Sequence, residues 1–235
     1  MLFRSALKVL NYADIIFTYG AKIKELHKSL GFKEEKMFEN HGAVNDFWLT
    51  DFSPSHKKQK LGFVFVGRNE RRKGLPELNY VLNKLSTTKY KDQFDFHFIG
   101  DIPNDKKLQL PNLFYHGLQT AEGIKKINQA NDVLVLPSLS EGFPTVIVEA
   151  MACGMAIIAT DVGAVQRVVS EKNGWIIPIA NKAKLEQAIV LALEQDNESL
   201  FAKKLYSRQV IEAEFTWEKM IKNVIEFIGN YPKLN

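Results

Sequence analysis

The chain has 235 residues, 46% of them hydrophobic and 25% charged, with a net charge of +4. That is enough apolar material for one complete domain plus a fragment, soluble and globular, and no apolar run approaches the roughly 18 to 20 residues of a membrane span. The absence of any basic stripe interleaved with aromatics leaves nucleic-acid binding without support, and the single Cys153 excludes an internal disulfide and fits a reducing cytoplasm.

In chain order, residues Met1–Leu10 carry Arg4 and Lys8 inside an apolar stretch, which predicts an amphipathic helix and not the uninterrupted centre of a signal peptide. Ala13–Thr18 reads as a strand, Ala21–Leu30 as a helix stopped by Gly31, and Lys36–Glu39 as a short strand. This is one and a half α/β units, too little for a core of its own. Phe52–Lys58 is polar and rich in breakers, a linker. The basic clusters at Lys57, Lys58, Lys60 and at Arg71, Arg72 read as solvated loop residues, with an anionic membrane surface as an alternative contact.

From there the apolar runs are continuous, as in parallel strands buried on both faces. They are Leu61–Val66, Phe94–Ile99, Asn112–Tyr115, Val133–Leu136, Ala156–Thr160 and Trp175–Pro178. Helical patterns fall between them at about 75–86, 121–130, 145–153, 164–169 and 182–195, and two more close the chain at 197–213 and 217–229, the last with Thr216 as its N-cap. Strands alternating with helices at these lengths predict an α/β fold, a Rossmann-like doubly wound parallel sheet preceded by an incomplete α/β piece.

Two constellations carry chemistry. In Ser140–Gly154 the carboxylates of Glu141 and Glu149 are eight residues apart, one in a strand-to-helix loop and one inside the following helix. Open parallel sheets bind ligands in the crevice at their strands' carboxyl ends, where this spacing puts both groups. Pro144 suits the first turn of that helix, and the free amides of Thr145 and Val146 leave a positive helix end suited to an anion such as a diphosphate. The second is Gly67–Gly74, where a guanidinium, Arg68, and an ammonium, Lys73, stand at the end of the first strand of the larger unit between two glycines. A planar fork of donors and a compact charge both match diphosphate oxygens. Cys153 has no His/Asp companion and reads as a small core residue; His97 reads as packed with a satisfied hydrogen bond and His116 as a loop residue.

The Ser140–Gly154 run closely resembles the donor-site signature of retaining GT-B glycosyltransferases of family 4, the "group 1" type, and the resemblance covers nearly the whole chain. It implies that Glu149 binds the ribose hydroxyls of a nucleotide-sugar, that Glu141 contacts the donor sugar, and that Arg68 and Lys73 clamp the diphosphate. Gly67, Leu118, Gly142, Phe143, Pro144 and Thr145 complete the implied donor-binding set, with Leu118 in the loop packing near the nucleobase. Two places depart from the family pattern: Gln166 and Arg167 stand where proline and glutamate are common, and Asn40–Asn45 only approximates an Asn-Gly-Val-Asp-like turn.

The resemblance divides the chain into residues 1–50, the end of an acceptor domain; 51–60, a linker; 61–215, the donor-binding domain; and 216–235, a carboxy-terminal helix that packs back onto the acceptor domain. It implies a retaining hexosyltransferase-type enzyme using a UDP- or GDP-sugar, no other cofactor and no metal, with a sugar or lipid-linked acceptor, located in the cytoplasm or at the inner face of the membrane. Two other readings stay open: a donor-binding subunit completed by a separate acceptor-domain protein, and a sugar-nucleotide epimerase. The truncated first domain predicts apolar faces at Met1–Leu10 and Ile221–Ile228 short of partners, favouring self-association. No G-x-G, no P-loop motif, no Asp-x-Asp and no zinc-type His/Cys spacing occurs in the sequence.

Overall fold

The computed structural model describes residues 12–49 and 59–231, so the helix expected over Met1–Leu10 and most of the linker lie outside the described residues. The amino-terminal piece is a pair of parallel strands, β1 (Ile16–Tyr19) and β2 (Met37–Asn40), connected through helix α1 (Ala21–Ser29). A short helix α2 (Asp46–Leu49) follows.

The larger unit holds β3 (Leu61–Val66), α3 (Leu75–Leu85), β4 (Phe94–Ile99), β5 (Leu113–Tyr115), α4 (Ala121–Gln129), β6 (Val133–Leu136), α5 (Thr145–Ala152), β7 (Ala156–Thr160), β8 (Gly174–Ile177), α6 (Lys182–Glu194) and α7 (Asn197–Glu214). Helix α8 (Trp217–Gly229) ends the described chain, capped by Thr216, whose hydroxyl accepts from Lys219 N. The six strands form one sheet in the order β5-β4-β3-β6-β7-β8, and every pairing is parallel.

Alternation along each strand explains the two cores. Phe63 and Phe65 of β3, Val133 and Val135 of β6 and Ala156 and Ile158 of β7 pack with Leu78, Leu82 and Leu85 of α3 and Leu185 and Ile189 of α6. The intervening Val64, Leu134, Leu136, Ile157 and Ala159 pack on the opposite face with Ile147, Val148 and Met151 of α5 and Ile211 of α7. A side chain that alternates between two covered faces needs an apolar residue at every position, hence the continuous runs.

Two expectations are corrected. No helix spans 164–169; only a single 3-10 turn, Val165–Arg167, forms. Asn173 ties the chain directly after that turn, donating to Val168 O at 2.9 Å and accepting from Ser170 N at 2.7 Å, a local alternative to further helix. Pro144 is not in the first turn of α5 but immediately precedes it, with ψ 99, in extended conformation.

The amino-terminal piece is tied to the larger unit at defined points. Val44 forms a parallel bridge with Thr216, with Val44 N to Phe215 O at 2.9 Å and Trp217 N to Val44 O at 3.0 Å. Two buried cations hold the carbonyls of α2: Lys125 Nζ donates to Phe47 O at 2.7 Å and Arg208 to Leu49 O at 2.5 Å. Helix α8 then packs on β2, with Phe227 and Phe38 4.9 Å apart. Its other apolar stripe is uncovered among the described residues: Ile221 is 46%, Ile225 64% and Ile228 49% exposed.

Candidate functional site

The strand order reverses between β3 and β6: β4 and β5 lie to one side, β6 to β8 to the other. Loops leaving neighbouring strands in opposite directions open a crevice at their carboxyl ends, and ligands of such sheets bind there. The two loops in question are 67–74 and 137–144, which carry both predicted constellations.

After β3 the chain makes a 3-10 turn at Arg71–Lys73, then Gly74 adopts the left-handed conformation with φ 71 and starts α3. A Cβ on Gly74 would lie 2.0 Å from Pro137 O, so glycine alone lets the two loops approach. The approach brings Lys73 Nζ to 2.7 Å from Glu141 Oε1, and both side chains are largely buried. Ser138 Oγ donates to the same carboxylate oxygen at 2.8 Å. Leu139 N donates to Arg72 O at 2.6 Å, a further tie between the loops. On the other flank Gly163, φ 53, permits the loop after β7 to close on Glu141 and Gly142, with Ala164 N to Gly142 O at 2.9 Å.

The remaining predicted residues are distributed around this pair. Arg68 is exposed and lines a cleft with Asn69, Glu70, Asp101, Pro103 and Leu118, the last 75% exposed. Gly67 is half-buried beside Phe65 and Lys73. Gly142 faces open space. Thr145 is exposed at the start of α5, where the first amide with a backbone acceptor is that of Ile147, bonded to Pro144 O at 3.0 Å. Glu149 is half-buried just over one turn inside α5, and burial holds its carboxyl above the ordinary carboxylate value. The ring of Phe143 packs at the junction with the amino-terminal piece, stacked 6.2 Å from Phe215 and against Gly42. Pro144 is buried.

Of the basic residues read as solvated, Lys60 pairs with Asp95 at 3.2 Å, and Lys57 and Lys58 lie outside the described residues. Arg71 is exposed, yet both its terminal nitrogens bind the buried Glu77 at 2.9 and 2.6 Å. Arg72 is half exposed and faces two acids, Glu70 at 2.5 Å and Glu141 at 3.5 Å. Arg167, which departs from the family pattern, pairs with Glu214 at 3.0 Å and lies over the ring of Phe215. His97 and His116 bind each other, Nδ1 to Nε2 at 2.9 Å, and burial lowers the His116 pKa. Arg72 and Ser138 were not singled out as site residues by the sequence; for Ser138 the available signal was its place two residues after β6 and three before Glu141.

Burial pushes the Cys153 thiol up to about 12, the reverse of an activated nucleophile. Iodoacetamide should therefore alkylate Cys153 in the folded protein roughly a hundredfold or more slower than in urea, read by mass spectrometry. Equal rates would mean that the thiol is neither buried nor suppressed. Among the described residues no group of three or more His, Cys, Asp or Glu is arranged to hold a metal ion, and no helix is long and apolar enough to cross a membrane.

Residues 46–213 match the family described as "Glycosyl transferases group 1". The chain belongs to this family. It is 31% identical over 226 residues to the N,N'-diacetylbacillosaminyl-diphospho-undecaprenol alpha-1,3-N-acetylgalactosaminyltransferase of Campylobacter jejuni, covering 85% of this chain and 59% of that protein. It is 28% identical over 188 residues to a D-inositol 3-phosphate glycosyltransferase of Corynebacterium urealyticum, covering 72% and 43%. Among solved structures, HepE of Anabaena in complex with UDP and glucose superposes with a TM-score of 0.79 at 17% identity, covering 96% of this chain and 66% of that one. Sucrose-phosphate synthase of Thermosynechococcus elongatus gives 0.78 at 22% identity, covering 95% and 60%. The parallel α/β fold is thus that of GT-B glycosyltransferases. The chain spans about half the length of the curated relatives it matches.

Proposed function

We propose that this chain supplies the nucleotide-sugar donor site of a retaining, metal-independent GT-B glycosyltransferase of the family 4 type, which moves a hexose from a UDP- or GDP-sugar to a sugar or lipid-linked acceptor. The observation that carries the reading is the Lys73–Glu141 contact at the reversal of strand order, with Arg68 in the adjoining cleft. Lys73 and Arg68 would hold the diphosphate and stabilise charge developing on it as the sugar leaves, a preorganised electrostatic contribution. Glu141 would position the sugar without attacking it, and Glu149 would anchor the ribose. In front-side substitution, a diphosphate oxygen takes the proton of the attacking hydroxyl. The acceptor side needs a second wall to the cleft, and the share of the relatives' length that this chain spans favours its supply by further polypeptide.

Calorimetry with UDP and GDP tests the reading. The wild type should bind one of them, and Glu149→Ala should bind it about 1.5 to 3 kcal/mol more weakly, the usual contribution of hydrogen bonds to a charged group. A folded Glu149→Ala variant with wild-type affinity would remove the ribose assignment.

The same residue has a pH signature. Burial raises the pKa of its carboxyl in the fold, so the folded, ligand-free chain holds that proton to higher pH than the unfolded chain does, and the stability this contributes is lost as pH rises above the ordinary carboxylate value through the raised one. Ribose hydroxyls donate to the ionised form, so affinity should climb with pH across that window. Glu149→Gln should flatten the climb, leaving only the titration of the nucleotide's own phosphate.

A further inference from the structure

Ser138 has no role in the site as read above, yet it is placed to control its central carboxylate. It is fully buried, and its hydroxyl donates to the Glu141 oxygen that also receives Lys73. The Ser138 carbonyl is itself held by the hydroxyl of Thr160, buried at the end of β7. Among the described residues, the contact to the second oxygen of Glu141 is the longer one from Arg72, at 3.5 Å.

The two donors on Glu141 Oε1 differ in what a ligand can do to them. Lys73 is a mobile ammonium on a four-carbon stem, and a diphosphate with two or more negative charges competes for it against a single carboxylate. Ser138 is short, buried and anchored through its carbonyl, so it cannot follow. Its hydroxyl is also neutral, and holds the carboxylate without attracting the diphosphate or cancelling the acid's charge.

Resting on the donor-site reading, we propose that Ser138 is a positioning residue: its buried hydroxyl keeps the Glu141 carboxylate aimed at the donor sugar when the diphosphate draws Lys73 away. Thr160 sets the position of Ser138 in turn. Without the hydroxyl, Glu141 would turn towards Arg72 and lose the sugar, while the clamp on the diphosphate would remain.

The test compares affinities for a nucleoside diphosphate and for its sugar conjugate, UDP with UDP-glucose and GDP with GDP-mannose, by calorimetry. Ser138→Ala is expected to weaken sugar-conjugate binding about fivefold or more relative to the bare diphosphate. In a Glu141→Gln background the same substitution should change that ratio less than twofold, because the two groups act together. A ratio unchanged in Ser138→Ala, or losses equal for both ligands, or effects that simply add with Glu141→Gln, would overturn the positioning role and leave the donor site intact. Wild-type protein that binds none of the four ligands would instead overturn the donor-site reading, and this inference with it. Should Ser138→Ala fail to fold, Thr160→Val, nearly isosteric, decides the matter: it should shift the ratio in the same direction, and an unshifted ratio rejects the proposal.

Discussion

Replacing Lys73 by alanine is expected to weaken binding of UDP or GDP by about 1.5 to 3 kcal/mol, roughly ten- to a hundredfold. The loss should lie towards the upper end, because the substitution also leaves Glu141, whose side chain is 7% exposed, facing the diphosphate without its counter-ion. Arg68→Ala should act in the same direction. Arg71→Ala is the control: its guanidinium is committed to Glu77, so its removal should lower stability and spare binding. Arg72→Ala should fall between the two, since it reaches Glu141 and not the open cleft. Added salt should weaken the diphosphate interaction in the wild type and much less in Lys73→Ala. Equal losses for Lys73→Ala and Arg71→Ala in titrations would point to a diffuse basic surface in place of a clamp.

The largest expected stability effect lies at the opposite end of the sheet. Lys204 of α7 and Asp132 before β6 form an ion pair of 2.7 Å with side chains 6% and 5% exposed, and the other Asp132 oxygen accepts from Gly62 N at 3.0 Å. Lys204→Met removes one charge of this buried pair, which costs about 3 kcal/mol, the lower part of the range for such pairs because the carboxylate keeps other partners, the Gly62 amide among them. Urea unfolding should show a lower midpoint with an unchanged slope. Adding Asp132→Asn should recover part of the loss, since the amide oxygen can still accept from Gly62. A double variant as unstable as the sum of the single ones would show that the charge left behind is not the cause.

Much of this was legible in the chain itself. The six strands of the large sheet fall where continuous apolar runs stood between breakers, because a strand covered on both faces tolerates few polar residues. Helix α8 begins where Thr216 caps it, and the cap is a local interaction between residues three apart. By contrast, the turn at Val165–Arg167 defeated the local pattern. An apolar period suggested a helix, but the chain closes only one turn there, and the side chain of Asn173, several residues on, binds Val168 O and Ser170 N directly after it.

What the sequence by itself determined was the class of fold and the two loops that carry the proposed donor site, because hydrophobic period, breakers and motif spacing are properties of neighbouring residues. The tertiary structure alone decided who meets whom. The strand order sets loop 67–74 against loop 137–144, separated by some seventy residues of chain, and so pairs Lys73 with Glu141, 68 positions apart. It also gave the three basic residues of the Arg71–Lys73 turn distinct sets of partners: Glu77 for Arg71, Glu70 and more distantly Glu141 for Arg72, Glu141 for Lys73. Three adjacent cations look alike in sequence. Their roles differ because a tight turn sends each side chain in its own direction, towards acids that the sheet and helix α3 have already put in place.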